Sequence, residues 1–274
     1  MSKIVQNRYE AVLFCSVKNG NPNGDPDAGN KPRVNPENDK GIITDVCLKR
    51  KVRNYVTVAK ENEKGYDLYI EEGSVLTEQN TKAYEEMSIP VSKKIDEKTV
   101  IELQNTMCNM FYDIRTFGAV MVGSVNLNKL QGPLQMTFAE SLDIVEPVQI
   151  TVTRCAKTNK KDDEDNKTMG NKWYIPYALY RTHIFVNPKL AEKTGFTEDD
   201  LDLFWKSLIN MFDFDRSAAR GEMTTQGLKV FKHYNKLGVY PSHKQLERVT
   251  TDENYNINVN LENLPEGIEY IDMW

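Results

Sequence analysis

The chain has 274 residues, 39% hydrophobic and 27% charged, with a formal net charge of −5. That is the balance of a globular protein with a core of its own. No apolar run nears the roughly 18 residues that span a bilayer, and the start MSKIVQNRYE lacks the apolar centre of a signal peptide, so a cytoplasmic protein without a membrane partner is expected. The acidic total speaks against a nucleic-acid binder in bulk, but phosphate is bound by a local stripe, so the placement of the 35 Lys and Arg residues decides.

The first predicted element is a strand, YEAVLFCSV (9–17), followed by a long loop over 18–43 that opens with NGNPNGDPDAGNKPR (19–33). Loops of this length are uncommon and often functional. Two familiar patterns almost fit it. A phosphate-cradling loop needs G-x-x-x-x-G-K-[ST], but Asn30 separates Gly29 from Lys31, and Pro32 follows. A calcium loop needs its glycine one position later and a glutamate where Pro36 stands. Asp25 and Asp27 are expected to cap local turns or face a neighbouring subunit.

A helix is predicted over 45–59, with Thr44 as N-cap and Asp45 in the first turn. Leu48, Val52, Tyr55, Val56 and Ala59 form its apolar stripe. The run KRKVR (49–53) then puts Lys49, Arg50 and Arg53 on the outer surface, one turn apart. Lys31 and Arg33 precede the helix, and together these residues make a cationic patch in an acidic chain. An RNA backbone needs such a patch, because phosphate contacts dominate affinity.

Residues 60–110 are mixed, with helices expected near 78–87 and 96–110, and FYDIRTFGAVMVG (111–123) is apolar and punctuated by glycine. Two strands are expected within 134–153. In VQITVTR (148–154) apolar and polar residues alternate, the period of a half-buried strand. A polar insert (157–172) and a returning strand, WYIPYALYRTHIFV (173–186), suggest a long hairpin arm. Met169, flanked by Lys167 and Lys172, has little core to fill there and suits an apolar wedge between bases. A helix over 198–213 is capped by Thr197, with Leu201, Phe204, Trp205, Leu208, Met211 and Phe212 on one face. The last clear strand is GLKVFKH (227–233). The class is α+β: a small antiparallel sheet backed by helices and carrying long insertions.

Catalytic patterns are sparse. Cys15, Cys47, Cys108 and Cys155 are far apart and form no CxxC, which fits reduced thiols rather than a disulfide frame or zinc site. His183, His233 and His243 lie in different segments. A metal-dependent nuclease needs clustered carboxylates, and Asp25, Asp27 and Asp45 are the set available. No cofactor is implied.

The ordered segments then point to a family. The first strand, the N-P-N-G-D-P-D loop and the I-T-D-V-C-L-K-R-K-V-R helix are followed by D-I-R-T-F-G (113–118), G-P-L-Q (132–135), T-M-G-N-K-W-Y-I-P-Y-A-L-Y-R (168–181) and D-R-S-A-A-R-G-E-M (215–223). This order resembles the backbone subunit of CRISPR type I surveillance complexes (Cascade), most closely the subtype I-C form. The resemblance implies a single hand-like domain over 1–274, with an RRM-like (ferredoxin-like) palm, a helical finger insertion over 60–110 and a β-hairpin thumb over 154–182. It implies copies stacked head to tail along one guide RNA (crRNA), with each thumb displacing one nucleotide so that target DNA pairs in short segments. Implied partners are the other Cascade subunits and a recruited helicase-nuclease.

The residues expected at the RNA are Lys31, Arg33, Lys49, Arg50, Arg53, Arg115, Met169 and Lys172. An ordinary RRM stacks bases on sheet aromatics, but Tyr9 and Phe14 fall on opposite faces of the first strand. Binding through the RNA backbone, independent of guide sequence, therefore fits better. Type III relatives cut target RNA with a loop aspartate, whereas type I members leave cutting to a separate enzyme. The implied role is non-catalytic, with a metal-dependent ribonuclease as the alternative.

Overall fold

The computed structural model describes residues 2–91, 95–122, 126–153, 155–156 and 169–274. The first strand, β1 (Arg8–Gly20), is buried from Tyr9 to Val17 because both of its faces are covered. Tyr9, Ala11, Leu13, Cys15 and Val17 enter one core cluster, while Val12 and Phe14 enter another. The segment expected to be loop carries three short strands: β2 (Gly24–Asp25), β3 (Lys31–Pro32) and β4 (Lys40–Ile43). Helix α1 (Asp45–Ala59) starts as its sequence predicts, with Thr44 Oγ1 accepting from Cys47 N at 3.3 Å. Leu48, Val52 and Val56 are buried, whereas Ala59 is exposed and the apolar stripe ends a turn early.

Next come α2 (Leu76–Glu86), α3 (Glu97–Met110), α4 (Tyr112–Phe117), β5 (Gly118–Met121) and β6 (Asn128–Gln131). Helix α3 is capped by Asp96, which accepts from Thr99 N at 2.8 Å. These elements hold a separate apolar cluster that includes Tyr69, Tyr84, Leu103, Met107, Phe111 and Ile114. At the turn into β5, Gly118 has φ +79, and a Cβ there would fall 2.3 Å from Leu130 O. Only glycine permits that approach.

The remainder runs β7 (Leu134–Met136), β8 (Ala139–Ile144), β9 (Val148–Thr153), β10 (Met169–Val186), α5 (Pro188–Thr194), α6 (Glu198–Phe214), β11 (Glu222–His233), α7 (Ser242–Leu246), β12 (Val249–Thr251), β13 (Ile257–Val259) and β14 (Ile268–Asp272). Helix α6 opens on a reciprocal capping box between Thr197 and Asp200. Its predicted apolar face is buried at every named position.

The main sheet has the order β14-β11-β1-β10-β8-β4, and its strand pairs are antiparallel. β7 and β9 also pair with β10. The edge strand β4 escapes a sequence reading because KGII is four residues long. It is a strand because β8 pairs with it, Ile43 opposite Ala139, and strand preference is mostly such context. Apolar residues of α1 and α6 pack with one face of β1. The other face is closed by Leu246, Val249 and Ile268 from the C-terminal segment. Tyr9 and Phe14 are therefore both buried, on opposite faces, and no sheet aromatic of β1 is open to a base.

A buried polar knot fastens this C-terminal segment. Glu10 bonds His233 Nε2, accepts from Ser242 Oγ at 3.0 Å and pairs with Arg8 at 2.5 Å. Val239 N donates to His233 Nδ1 at 3.2 Å, so that nitrogen carries no proton and Nε2–H is the donor to Glu10. Burial raises the Glu10 pKa, but the hydrogen bond to His233, the charge of Arg8 and the hydrogen bond from Ser242 together bring it below the usual carboxylate value of 4.5. A folded pKa below the unfolded one stabilises at pH above the unfolded value, and that stability is lost as pH falls through the folded value. Glu10→Gln is expected to unfold about 1–3 kcal/mol more easily at pH 7, the cost of leaving buried partners unmatched. The gap from wild type should close below pH 4.5. Urea titrations at pH 7, 5 and 4 read both effects, and a gap constant with pH would contradict the assignment.

Candidate nucleic-acid interface

The turn-rich segment after β1 is held by its own amides. Asn21 Nδ2 donates to Asn30 O at 2.7 Å, and Asn30 N donates to Asp25 O at 2.8 Å. Asn23 Oδ1 accepts from both Thr44 N and Thr44 Oγ1 at 3.0 Å, which ties the loop to the start of α1. Asp25 caps a local turn, accepting from Asp27 N at 3.2 Å, and pairs with Arg33 at 3.3 Å.

A second layer of contacts comes from D-R-S-A-A-R-G. Asp215 takes the ammonium of Lys51, which is only 1% exposed, and also pairs with Arg220 Nε at 3.3 Å. Arg220 Nη1 donates to Pro22 O at 3.0 Å and Asn21 O at 3.3 Å, while Asn21 N donates to Ala219 O at 2.7 Å. The backbones meet so closely that a Cβ on Gly20 would lie 1.9 Å from Arg220 O. Sequence reading missed Lys51 and Arg220. Lys51 lies three residues after Leu48 and four before Tyr55, a spacing that places it beside the buried stripe; that was the available signal.

The basic helix differs from its sequence reading. Arg53 is buried, with Nε 2.8 Å from Asp113 Oδ2, and Asp113 also accepts from Tyr69 N at 2.8 Å and Ile70 N at 3.0 Å. Lys49 is 14% exposed, bonded to Asp45 at 2.9 Å and set over the Phe117 ring. Arg50 is 47% exposed and pairs with Glu72 at 2.7 Å. The patch of three outward cations is thus one outward cation. Arg115 is also buried, its guanidinium paired with Asp200 at 2.7 and 3.0 Å. The D-I-R-T-F-G segment is a structural clamp, with Asp113 gripping α1 and Arg115 gripping α6.

Other predicted residues do come together. Lys31 is exposed over the Trp173 ring at 5.4 Å, Arg33 is half-buried beside it on the same loop, and Lys172 donates to Ala218 O in the 215–223 loop. Loop, arm and D-R-S-A-A-R-G segment therefore converge on one cationic surface. Lys18 and Arg216, which sequence reading did not single out, are exposed but each stands beside an acid, Glu222 at 3.7 Å and Asp213 at 2.8 Å, and so adds little net charge.

From this surface the arm departs, β9 against β10 from Tyr174↔Val148 to Met169↔Thr153. Ile150 and Val152 are exposed along it and Met169 is 70% exposed. The part of the expected polar insert and thumb tip at 157–168 lies outside the described residues, while residues 169–172 belong to the strand.

Asp25 and Asp45 each face their own cation, Arg33 and Lys49. Among the described residues no group of three His, Cys, Asp or Glu side chains is placed to hold a metal ion. Burial pushes the Cys15 and Cys108 thiols up to about 12, so both stay protonated at neutral pH. No helix among the described residues is long and apolar enough to cross a membrane.

The profile of one family, CRISPR-associated protein Cas7, matches residues 7–272. The chain belongs to the Cas7 family. A CRISPR-associated protein Cas7 of Haloferax volcanii is 25% identical over 226 residues, 74% of this chain and 65% of that protein. The alignment thus spans less than two thirds of that Cas7 relative. Among solved structures, a chain of a CRISPR RNA-guided surveillance complex, pre-nicking, matches with TM-score 0.54 and 13% identity over 86% of this chain and 83% of its own. A chain of a second CRISPR RNA-guided surveillance complex matches at TM-score 0.48 and 13% identity, covering 82% and 68%. Cas7 membership agrees with the family that the ordered sequence segments resemble.

Proposed function

We propose that this chain is a non-catalytic crRNA-binding backbone subunit of a CRISPR type I surveillance complex, of the I-C kind. The observation that carries the reading is the convergence of Lys31, Arg33 and Lys172 on one surface of an acidic Cas7-family chain, at the root of an exposed two-stranded arm. Phosphates are what such a surface binds, whatever the guide sequence. The palm is RRM-like in this reading. The order β11-β1-β10-β8, with α1 following β1 and α6 between β10 and β11, is the ferredoxin-like arrangement and supports it. Residues 60–110 are the fingers, supported by their own apolar cluster, and 154–182 are the thumb.

Copies stack head to tail along the crRNA in the cytoplasm and present it to target DNA, with other Cascade subunits and a helicase-nuclease as partners. Purification from cells expressing a CRISPR array is expected to yield protein with bound guide RNA, in oligomers whose size follows RNA length. Protein free of RNA at low salt would overturn the reading. Labelled target RNA with magnesium or manganese is expected to stay intact. Cleavage abolished by Asp25→Ala, Asp27→Ala or Asp45→Ala would move the chain to the ribonuclease reading.

A further inference from the structure

On the sheet face opposite α1 and α6 lies a groove of about 1190 Å³, between β8 and β10 on one side and α7 and β12 on the other. Its walls are mainly apolar, with Phe138, Leu142, Phe185, Leu246 and Val249. Phe138 stands 53% exposed at its rim. Within the groove wall, Arg181 packs over the Phe14 ring and donates Nη2 to Leu246 O at 2.7 Å. Its Nε has no hydrogen-bond partner. Burial lowers its pKa, and no carboxylate offsets that.

This contrasts with the buried cations among the described residues. Lys51, Arg53, Arg115 and Lys229 each hold an aspartate. Next along β10, His183 Nε2 is likewise buried without a partner. Burial, and then Arg181, push the His183 pKa down to about 4, so its ring is neutral at pH 7. A half-buried guanidinium with an open valence and no counterion is costly alone and favourable once a carboxylate meets it.

We propose that this groove docks a partner-protein segment in which an acidic side chain, flanked by apolar residues, places its carboxylate on Arg181. Charge complementarity selects that occupant. Glu140 stands opposite Arg181 across β8 and β10 but accepts from Asn35 and makes no ion pair with it, so the guanidinium, with Lys40 as a second cation on the lining, suits a single carboxylate, whereas Glu140 and Glu247 disfavour a polyanionic nucleic-acid strand. The volume exceeds the ~300–1,000 Å³ typical of small-molecule pockets and suits a short peptide. The inference does not rest on the crRNA reading, since the groove lining includes none of Lys31, Arg33 and Lys172.

The test uses the full chain and three fluorescein-labelled probes in anisotropy titrations: an octapeptide with one Asp between Leu and Phe pairs, the same peptide with Asn for Asp, and an eight-nucleotide oligouridylate. The Asp peptide is expected to bind about 10-fold or more tighter than the Asn peptide, the worth of one charge-assisted pair. Arg181→Gln should erase that difference. Phe138→Ala, at an exposed position that leaves the core intact, should weaken the Asp peptide by about 3-fold or more through lost apolar contact. No binding of the Asp peptide at millimolar concentration, equal binding of the two peptides, or oligouridylate binding that Phe138→Ala weakens would each overturn the proposal.

Discussion

Replacing Arg115 with alanine is expected to lower stability by about 3–5 kcal/mol, the cost of removing one partner of a buried ion pair. The Asp200 carboxylate would keep only its Thr197 contacts, inside a region where both side chains are nearly inaccessible. Arg115 also donates to the carbonyls of Gly65 and Cys108 and lies over the Tyr66 and Tyr112 rings at 4.9 and 5.2 Å. One side chain thus fastens the 60–117 region to the first turn of α6. Domains are stable by only about 5–15 kcal/mol in total, so the variant should unfold at much lower urea. Arg115→Lys should not rescue it, because an ammonium cannot span two carboxylate oxygens and two carbonyls in that planar geometry. RNA binding by the folded variant, measured in low urea, should keep its salt dependence. Unchanged stability together with weaker RNA binding would make Arg115 an RNA contact after all.

The opposite pattern is expected for Lys31→Gln, Arg33→Gln and Lys172→Gln combined. These side chains lie at or near the surface, so the urea midpoint should barely move. The slope of log affinity against log salt should flatten by about 2, at ~0.7 per phosphate contact on a single strand. The loss should be the same for guides of unrelated sequence, since backbone contacts carry no base information. Arg50→Gln alone should change the slope by less than the ~0.7 of one full phosphate contact, as that guanidinium already faces Glu72. A loss that depends strongly on guide sequence would contradict backbone contact.

The two long helices were legible because their signals are local. Thr44 and Thr197 cap them, and their apolar residues repeat within a few turns. Strand β1 was legible as a short apolar run, and the arm from the alternation in 148–154 and the polar insert that follows. What stayed hidden depends on residues distant in the chain. Arg53 and Arg115 read as RNA-facing cations and Lys51 went unassigned because their aspartates stand 60, 85 and 164 positions away. Hydrophobic periodicity assigns a face but does not reveal that a cation on the margin of that face has a buried counterion waiting. The same holds for β4 and for α4, whose strand and helix are settled by the neighbours they pack on. The cationic surface was half legible: Lys31, Arg33 and Lys172 were named from the sequence, but the helix thought to dominate it mostly turns inward.

The chain of contacts from Lys51 through Asp215 and Arg220 to the Asn21–Pro22 carbonyls has a kinetic meaning. A loop already clamped in place need not search for its bound shape, so RNA would meet a nearly rigid landing surface. The encounter rate is then governed by long-range attraction and ionic strength. Loosening the clamp, for example at Arg220, would act chiefly on how long each subunit stays on its stretch of guide, because the ordering cost would fall on the bound state. In the proposed role, residence time along the guide would therefore depend partly on residues that hold the loop rather than on its exposed cations alone.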